Sequence, residues 1–410
     1  MGRWLYTHIM KKTTLIVTAA LFASVLCSAE TIKGSDSKVS YIGRTEVSQD
    51  GAVSFDWSAT TVRVSFKGKS LKIKCSDTGK DYFNVWIDKE QGPRADFVVS
   101  VSAPASAPAG TSAAGPTSEG PAPASSGTSA APASPASAGV PVPADTILTI
   151  FTSKKSARHT AILQKRTEAE QGTFTLQELT TDGSFLEAPA PKSRLIEFVG
   201  DSYTCGYGVE AHHRGDPFLP AEENPSQTYA DVLGRLFGAE TVHISHSGRG
   251  IIRNYGDFNQ HENMVKLYAQ TFDQHSTAQW DPTYKPDLVI IYLGTNDFSV
   301  GKQPALLAWC NNYRQLLQKI REFHGPDVPI LCMASPCDEL MDDYVIEAVR
   351  RSGVDGVHFA PVLSNCYKLD DTDLGAAWHP NYNGHRKIAS AVAPYVATLT
   401  GWELPLKFYE

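Results

Sequence analysis

Between Ser102 and Ala144 the chain is almost wholly Ala, Pro, Ser, Gly and Thr, with one charged residue, Glu119, and no aromatic residue. A segment of that composition cannot bury enough apolar surface to offset the entropy lost on ordering it, so it reads as disordered. Whatever folds must therefore be built from its flanks. Upstream, "VSYIG", "AVSFDWSATTVRVSFKG", "SLKIKCSD" and "YFNVWID" are short, β-branched and aromatic, broken by Gly, Asp and Ser. Downstream, "TILTIF", "RHTAILQKRT" and "GTFTLQELT" resume the same pattern. Strand-like sequence on both sides predicts one all-β sandwich over 30–190, with 102–144 as a long surface insert, since long loops add little closure entropy. The rival is a linker between two small β domains.

After "APAPKS" the period changes, and 193–410 reads as a separate α/β domain. "RLIEFVG", "ETVHISHSG", "DLVIIYLG", "PILCMAS" and "VHFAPV" read as strands. Between them lie helical patterns: "SQTYADVLGRLFG", with Ser226 as candidate N-cap and Gly238 past its end, "PALLAWCNNYRQLLQKIREFHG", "DELMDDYVIEAVRRSG" and "YNGHRKIASAVAPYVATL". Strands alternating with helices predict a three-layer domain with a mostly parallel sheet, whose working groups sit at the carboxyl ends of strands.

Composition narrows the partners. A net charge of −7 with 20% charged residues gives no basic block for nucleic acid. "MKKTTLIVTAALFASVLCSA", from Met10 to Ala29, has the charged, apolar and small-residue order of a secretory signal, so residues 1–29 are expected to be removed on export to the periplasm or medium. A lipid anchor on Cys27 is the alternative. No segment reaches the roughly 20 apolar residues of a membrane helix. The remaining cysteines, Cys75, Cys205, Cys310, Cys332, Cys337 and Cys366, allow many pairings in an oxidising compartment, and sequence fixes none. No His/Cys cluster has zinc-site spacing, and His212–His213 lies in a polar loop, so neither a metal nor a cofactor is expected.

Loops at successive strand ends carry the chemistry. Gly200-Asp201-Ser202 follows the first α/β strand but lacks the second glycine of a Gly-x-Ser-x-Gly elbow, because Thr204 stands there. "SHSGRG" follows the next strand, and its glycines let backbone N–H groups approach a ligand. Gly294-Thr295-Asn296-Asp297 follows the most apolar strand, and a side-chain amide there can donate to an oxyanion. His379-Pro380 precedes the last helix and offers a base for a serine. Each loop alone is compatible with an ordinary turn; the order of all of them is the signal.

That order resembles the SGNH, or GDSL-like, hydrolase superfamily from about Arg194 onward. With the β pattern ahead of it, "LQKRTEAEQG", "GDSYTCGYG" and "GTNDFS" are similar to the family 2 carbohydrate esterases. The resemblance implies a jelly-roll domain before the catalytic one and removal of O-acetyl groups from polysaccharides such as xylan and mannan. It implies Ser202 as nucleophile and His379 as general base and then acid. The Ser202 and Gly248 N–H groups and the Asn296 side chain would form the oxyanion hole, Gly248 being preferred to Gly250 because it directly follows the strand. One departure stands out: Ala376 and Ala377 occupy the place where such enzymes carry the aspartate that orients the histidine. A Ser-His dyad with a carbonyl near Ala377 as the orienter is expected, with Asp373 as the rival. Trp378, Tyr203, Tyr207 and Trp309 are candidates to stack on sugar rings, although Trp309, on a long helix, fits the core as well. Competing functions are a lipase or lysophospholipase, a peptidoglycan O-acetyl esterase, and a decayed esterase kept as a carbohydrate-binding protein.

Overall fold

The computed structural model describes residues 29–103, 145–256, 262–274, 278–299, 301–335, 338, 340–361 and 369–405. The expected signal segment, apart from Ala29, and the insert from 104 to 144 lie outside the described residues.

The N-terminal strands are β1 (Glu30–Lys33), β2 (Val39–Ile42), β3 (Glu46–Val47), β4 (Val53–Phe55), β5 (Thr61–Asp77), β6 (Lys80–Ile87), β7 (Phe97–Ser102), β8 (Thr146–Lys165), β9 (Phe174–Thr181) and β10 (Ser184–Phe185). All their pairings are antiparallel, and hydrogen bonds join them into one ten-stranded network. The sandwich arises because β5 and β8 serve both layers. The first half of β5 pairs with β2, β10 and the second half of β8. Its second half pairs with β9 and the first half of β8. Register shifts at Gly68/Ser70 and Leu71/Lys72 mark the crossing point, where bulges bend a strand from one layer to the other. The runs "TILTIF" and "RHTAILQKRT", which read as separate strands, are thus one strand. Val62, Val64, Phe66, Leu71, Ile73, Phe83, Val85 and Phe174 fill the shared core. Both β7 and β8, the flanks of the insert, pair with β6.

The C-terminal sheet comprises β11 (Leu195–Gly200), β12 (Glu240–Ser245), β13 (Leu288–Tyr292), β14 (Ile330–Met333) and β15 (Val357–Ala360), all parallel, in the order β12-β11-β13-β14-β15. The helices are α1 (Ser202–Cys205), α2 (Tyr229–Phe237), α3 (Met264–Leu267), α4 (Leu306–His324), α5 (Met341–Arg351) and α6 (Tyr382–Thr400). One core joins the sheet to α3, α4 and α5; the other joins it to α2 and α6. β13 is buried at every position, as a strand covered on both faces must be. The strand order reverses at β11, so a crevice opens beyond the carboxyl ends of β11 and β13, where ligands bind in open parallel sheets.

One local expectation changes. Ser226 does not cap α2: it lies inside a 3₁₀ turn, Pro225–Gln227, where Asn224 Oδ1 accepts its N–H and the helix starts after Thr228. The proline takes the first position of that earlier turn, so the chain makes two short starts rather than one. Gly238 ends α2 in the left-handed region, as expected.

Candidate active site

β11 delivers its last residue, Gly200, and then α1 begins. A Cβ at Gly200 would lie 1.9 Å from Thr204 Oγ1, so only glycine lets the helical turn fold this tightly onto the strand end. Asp201 caps that turn by accepting from the Tyr203 N–H at 3.2 Å. Ser202 is the first residue of the turn. Its N–H has no intrahelical acceptor, and its side chain stands at the crevice floor.

His379 reaches it from the loop before α6. Nε2 lies 2.8 Å from Ser202 Oγ, and Nδ1 lies 3.0 Å from the Ala377 carbonyl. A carbonyl can only accept, so Nδ1 carries the proton and Nε2 is left to accept from the serine hydroxyl. The backbone makes this possible at a cost. Ala377 and Trp378 both adopt positive φ, 50° and 63°. Left-handed conformations in non-glycine residues cost roughly 1–2 kcal/mol each and cluster at functional sites. Backbone bonds hold the turn from outside: Ala377 N–H to Asp216 O and Trp378 N–H to Arg214 O, both at 3.1 Å. Burial pushes the His379 pKa below its ordinary value, and the carbonyls of Ala377 and Ala376 partly offset this.

Neither nearby acid is hydrogen-bonded to the ring. Asp373 Oδ2 accepts from the Asp370 N–H at 2.9 Å and pairs with Lys387. Asp371 pairs with Arg214. Asp373 is thus one arm of a capping box on its own 3₁₀ turn.

Gly248, at φ 78°, opens the loop after β12, and among the described residues nothing accepts from its N–H. Gly250 differs: its N–H donates to Asn254 Oδ1 at 3.3 Å. Asn296 Nδ2 donates to the Arg249 carbonyl at 2.9 Å and to Asp201 Oδ2 at 3.3 Å, so both its N–H groups are engaged and the weaker, longer bond is the one an oxyanion would replace. Asp297 accepts from the N–H groups of Ile251, Ile252 and Arg253, tying the glycine loop to the end of β13. Burial raises Asp297 to about 6 against those donors, and raises Asp201 to about 7.

The aromatic candidates divide. Trp378 is 60% exposed, with the Arg214 guanidinium 4.1 Å from its ring centroid. Tyr203 meets the His379 ring edge-on at 5.5 Å. Tyr207 lies 4.6 Å from the same ring and stacks on Phe218 at 3.7 Å. Trp309 does not join them. It is fully buried between Tyr313 and Tyr344 in the core under α4, because the apolar face of that helix points at the sheet.

Sequence reasoning missed Asp201, Asp297, Arg214 and Phe218. The first two stood inside quoted motifs, and an acid after a strand-ending glycine is a signal for capping. Arg214 and Phe218 lie in a polar loop that carries no local signal.

Glu168, Cys205 and Glu223 form a fully buried group close enough to hold a metal. Burial drives the Glu223 carboxyl and the Cys205 thiol well above their ordinary values, toward the protonated forms that do not ligate. His212 and His213 are exposed, and His213 Nδ1 accepts from the Gly215 N–H at 3.0 Å. Among the described residues Cys75, Cys205, Cys310 and Cys332 are free thiols, and no helix is long and apolar enough to cross a membrane.

Comparison with known proteins agrees with this geometry. Residues 198–387 match the GDSL-like Lipase/Acylhydrolase family, and residues 41–109 match the Carbohydrate esterase 2 N-terminal family. The chain is 28% identical over 374 residues to the cellulase/esterase CelE of Acetivibrio thermocellus, covering 88% of this chain but only 39% of that relative's length. It is 24% identical over 387 residues to an acetylxylan esterase / glucomannan deacetylase of Cellvibrio japonicus, covering 92% and 94%. A family two carbohydrate esterase from Clostridium thermocellum, solved in complex with cellohexaose, superposes with a TM-score of 0.72 at 25% identity, over 89% of this chain and 100% of that one. The chain carries a GDSL-like lipase/acylhydrolase domain behind a carbohydrate esterase 2 N-terminal domain, and with its relatives it is a carboxylic ester hydrolase, a carbohydrate esterase.

Proposed function

We propose that the protein is an exported O-acetyl esterase acting on acetylated plant polysaccharide, xylan or mannan, through an acetyl-enzyme on Ser202. The single observation that carries this reading is the 2.8 Å contact between His379 Nε2 and Ser202 Oγ, with Nδ1 turned to a carbonyl. His379 takes the serine proton as Oγ attacks the acetyl carbonyl. The developing oxyanion faces the N–H groups of Ser202 and Gly248 and the amide of Asn296, each worth roughly 3 kcal/mol in the transition state. His379 returns the proton to the departing sugar hydroxyl, then deprotonates a water that releases acetate. The pair works as a dyad, oriented by the Ala377 carbonyl rather than by Asp373.

Trp378, Tyr203 and Tyr207 offer ring surfaces around the site, which suits pyranose rings better than an acyl chain, so the lipase reading is set aside. The decayed-site reading predicts no reason for Ser202 and His379 to stay in contact. Export rests on the charged and apolar order of residues 10–29, and is the part of the proposal that the fold does not bear on.

Acetate release from acetylated xylan and acetylated mannan, beside a Ser202→Ala control, tests the reading. Release that vanishes in the control supports it, and the ratio between substrates names the preferred backbone. Folded protein that releases none, and does not turn over a small aryl acetate, overturns it in favour of a binding protein.

A further inference from the structure

Glu168 belongs to the antiparallel domain, just beyond β8, yet it is fully buried beneath the loop that follows β12. Its Oε2 accepts from the Ser247 N–H at 2.6 Å and from Cys205 Sγ at 3.5 Å. Its own backbone N–H donates to Glu223 Oε2 at 3.3 Å. One oxygen of each carboxyl, Glu168 Oε1 and Glu223 Oε1, has no hydrogen-bond partner. The two carboxyl groups lie close together, each offering an oxygen within 4.8 Å of the other's. Burial and the neighbouring Glu168 both raise the Glu223 carboxyl above its ordinary value, and the Ser247 and Cys205 donors both end on Glu168 Oε2.

The acceptor's position is what matters. Ser247 is the residue before Gly248; the turn around them is closed by Arg249 N–H to His246 O at 3.3 Å and tied down by His246 N–H to Gly200 O at 3.3 Å and Tyr255 N–H to Gly248 O at 2.7 Å. Within that turn the Glu168 bond is the one that holds the Ser247 N–H, the donor immediately ahead of the Gly248 N–H, which itself has no acceptor among the described residues. A buried N–H held at 2.6 Å by a side-chain oxygen is fixed in direction, and one left unpaired there would carry a desolvation cost and be free to turn.

We infer that Glu168 is a positioning residue for catalysis: from the antiparallel domain it holds the Ser247 N–H and so aims the Gly248 N–H at the oxyanion formed on Ser202. The inference rests on the reading of Gly248 as an oxyanion donor. It gives the β domain a part in the chemistry, separate from any contact with glycan.

The test uses the full chain and a small aryl acetate, which needs no polysaccharide binding. Glu168→Gln keeps an oxygen to accept from Ser247, with its amide able to donate to Glu223; Glu168→Leu keeps the volume and removes the acceptor. In Glu168→Leu, kcat should fall by about 30-fold or more with KM within about twofold, the range of one weakened oxyanion donor, while Glu168→Gln stays within about threefold of wild type. Equal loss in both variants, a change carried by KM, or no loss in either overturns the inference. Because Glu168→Leu risks failing to fold, amide exchange in the wild-type protein is the second measurement. The Ser247 amide should exchange at least about tenfold more slowly than that of Gly248, and equal rates overturn the inference. A dead Ser202→Ala beside an unaffected Glu168→Leu would leave the esterase reading standing and remove this one alone.

Discussion

The histidine's partner decides how the site works. Removing the acid of a triad costs on the order of 10⁴ in turnover where it leaves the wrong tautomer. Here the Ala377 carbonyl sets the tautomer instead, so Asp373→Asn should leave kcat within about threefold of wild type, with its effect confined to the capping box and the Lys387 ion pair, about 1 kcal/mol of stability. Paired turnover and melting measurements separate the two: a loss near 10³ would mean that the carboxylate reaches the ring during the reaction. The pH profile follows from the burial of His379. A base must be neutral, and a pKa below the ordinary 6.5 keeps it neutral further into acid, so the acid limb of kcat/KM should have its midpoint below pH 6.5. A limb nearer 7 that disappears in Asp201→Asn would report Asp201, which burial raises to about that value.

At the scale of elements, the nucleophile depends on how closely α1 folds onto β11. Gly200→Ala would drive a methyl into Thr204 Oγ1, 1.9 Å from the ideal Cβ, and the turn that carries Ser202 must move. A misplacement of about 1 Å can cost roughly 10² in rate, so kcat on a small aryl acetate should fall by that order while the folded content, read by circular dichroism, holds. Unchanged turnover would show that the strand end yields without displacing the serine. This part of the molecule was legible in the sequence because local rules govern it: an apolar run, a glycine, a capping acid, then a helical turn. The long strands β5 and β8 were not legible as continuous elements. Gly68 and the turn-like "TSKKSA" look like breaks, and only pairing with the other layer shows that the strand passes through a bulge. Ser226 was misjudged because Asn224, two residues earlier, caps a separate 3₁₀ turn that takes Ser226 in, and α2 starts only after Thr228. Glu168 stood inside the quoted run "LQKRTEAEQG", but its role could not be read there, because it depends on a loop far along the chain.

At the scale of the whole molecule the two sheets are locked together by buried groups. Trp57, from the N-terminal domain, packs into the core under α4 and donates to the Thr271 carbonyl at 2.9 Å. Arg44 is fully buried, donates to the carbonyls of Tyr268 and Gln270, and lies 3.9 Å from Glu197 at the start of the parallel sheet. Burial alone would raise Glu197, but His324, Arg44 and Tyr268 outweigh it and bring the carboxyl to about 2. Removing one partner of such a pair leaves an uncompensated charge, so Arg44→Met should cost roughly 3–5 kcal/mol, seen as a lower denaturation midpoint with kcat per folded molecule little changed. A midpoint equal to wild type would mean that the tyrosines and His324 carry Glu197 without the arginine. That interface could not be read from the chain, because a buried arginine and an exposed one look alike until their partners are known.

The central claim is that Ser202 carries the acetyl group. The most direct measurement is mass analysis of the enzyme quenched with acid during turnover of a small aryl acetate, followed by digestion. The account predicts an added acetyl mass on the peptide containing Ser202, and none in Ser202→Ala. Acetate released at full rate with no acetylated Ser202 peptide at any time during turnover would contradict it.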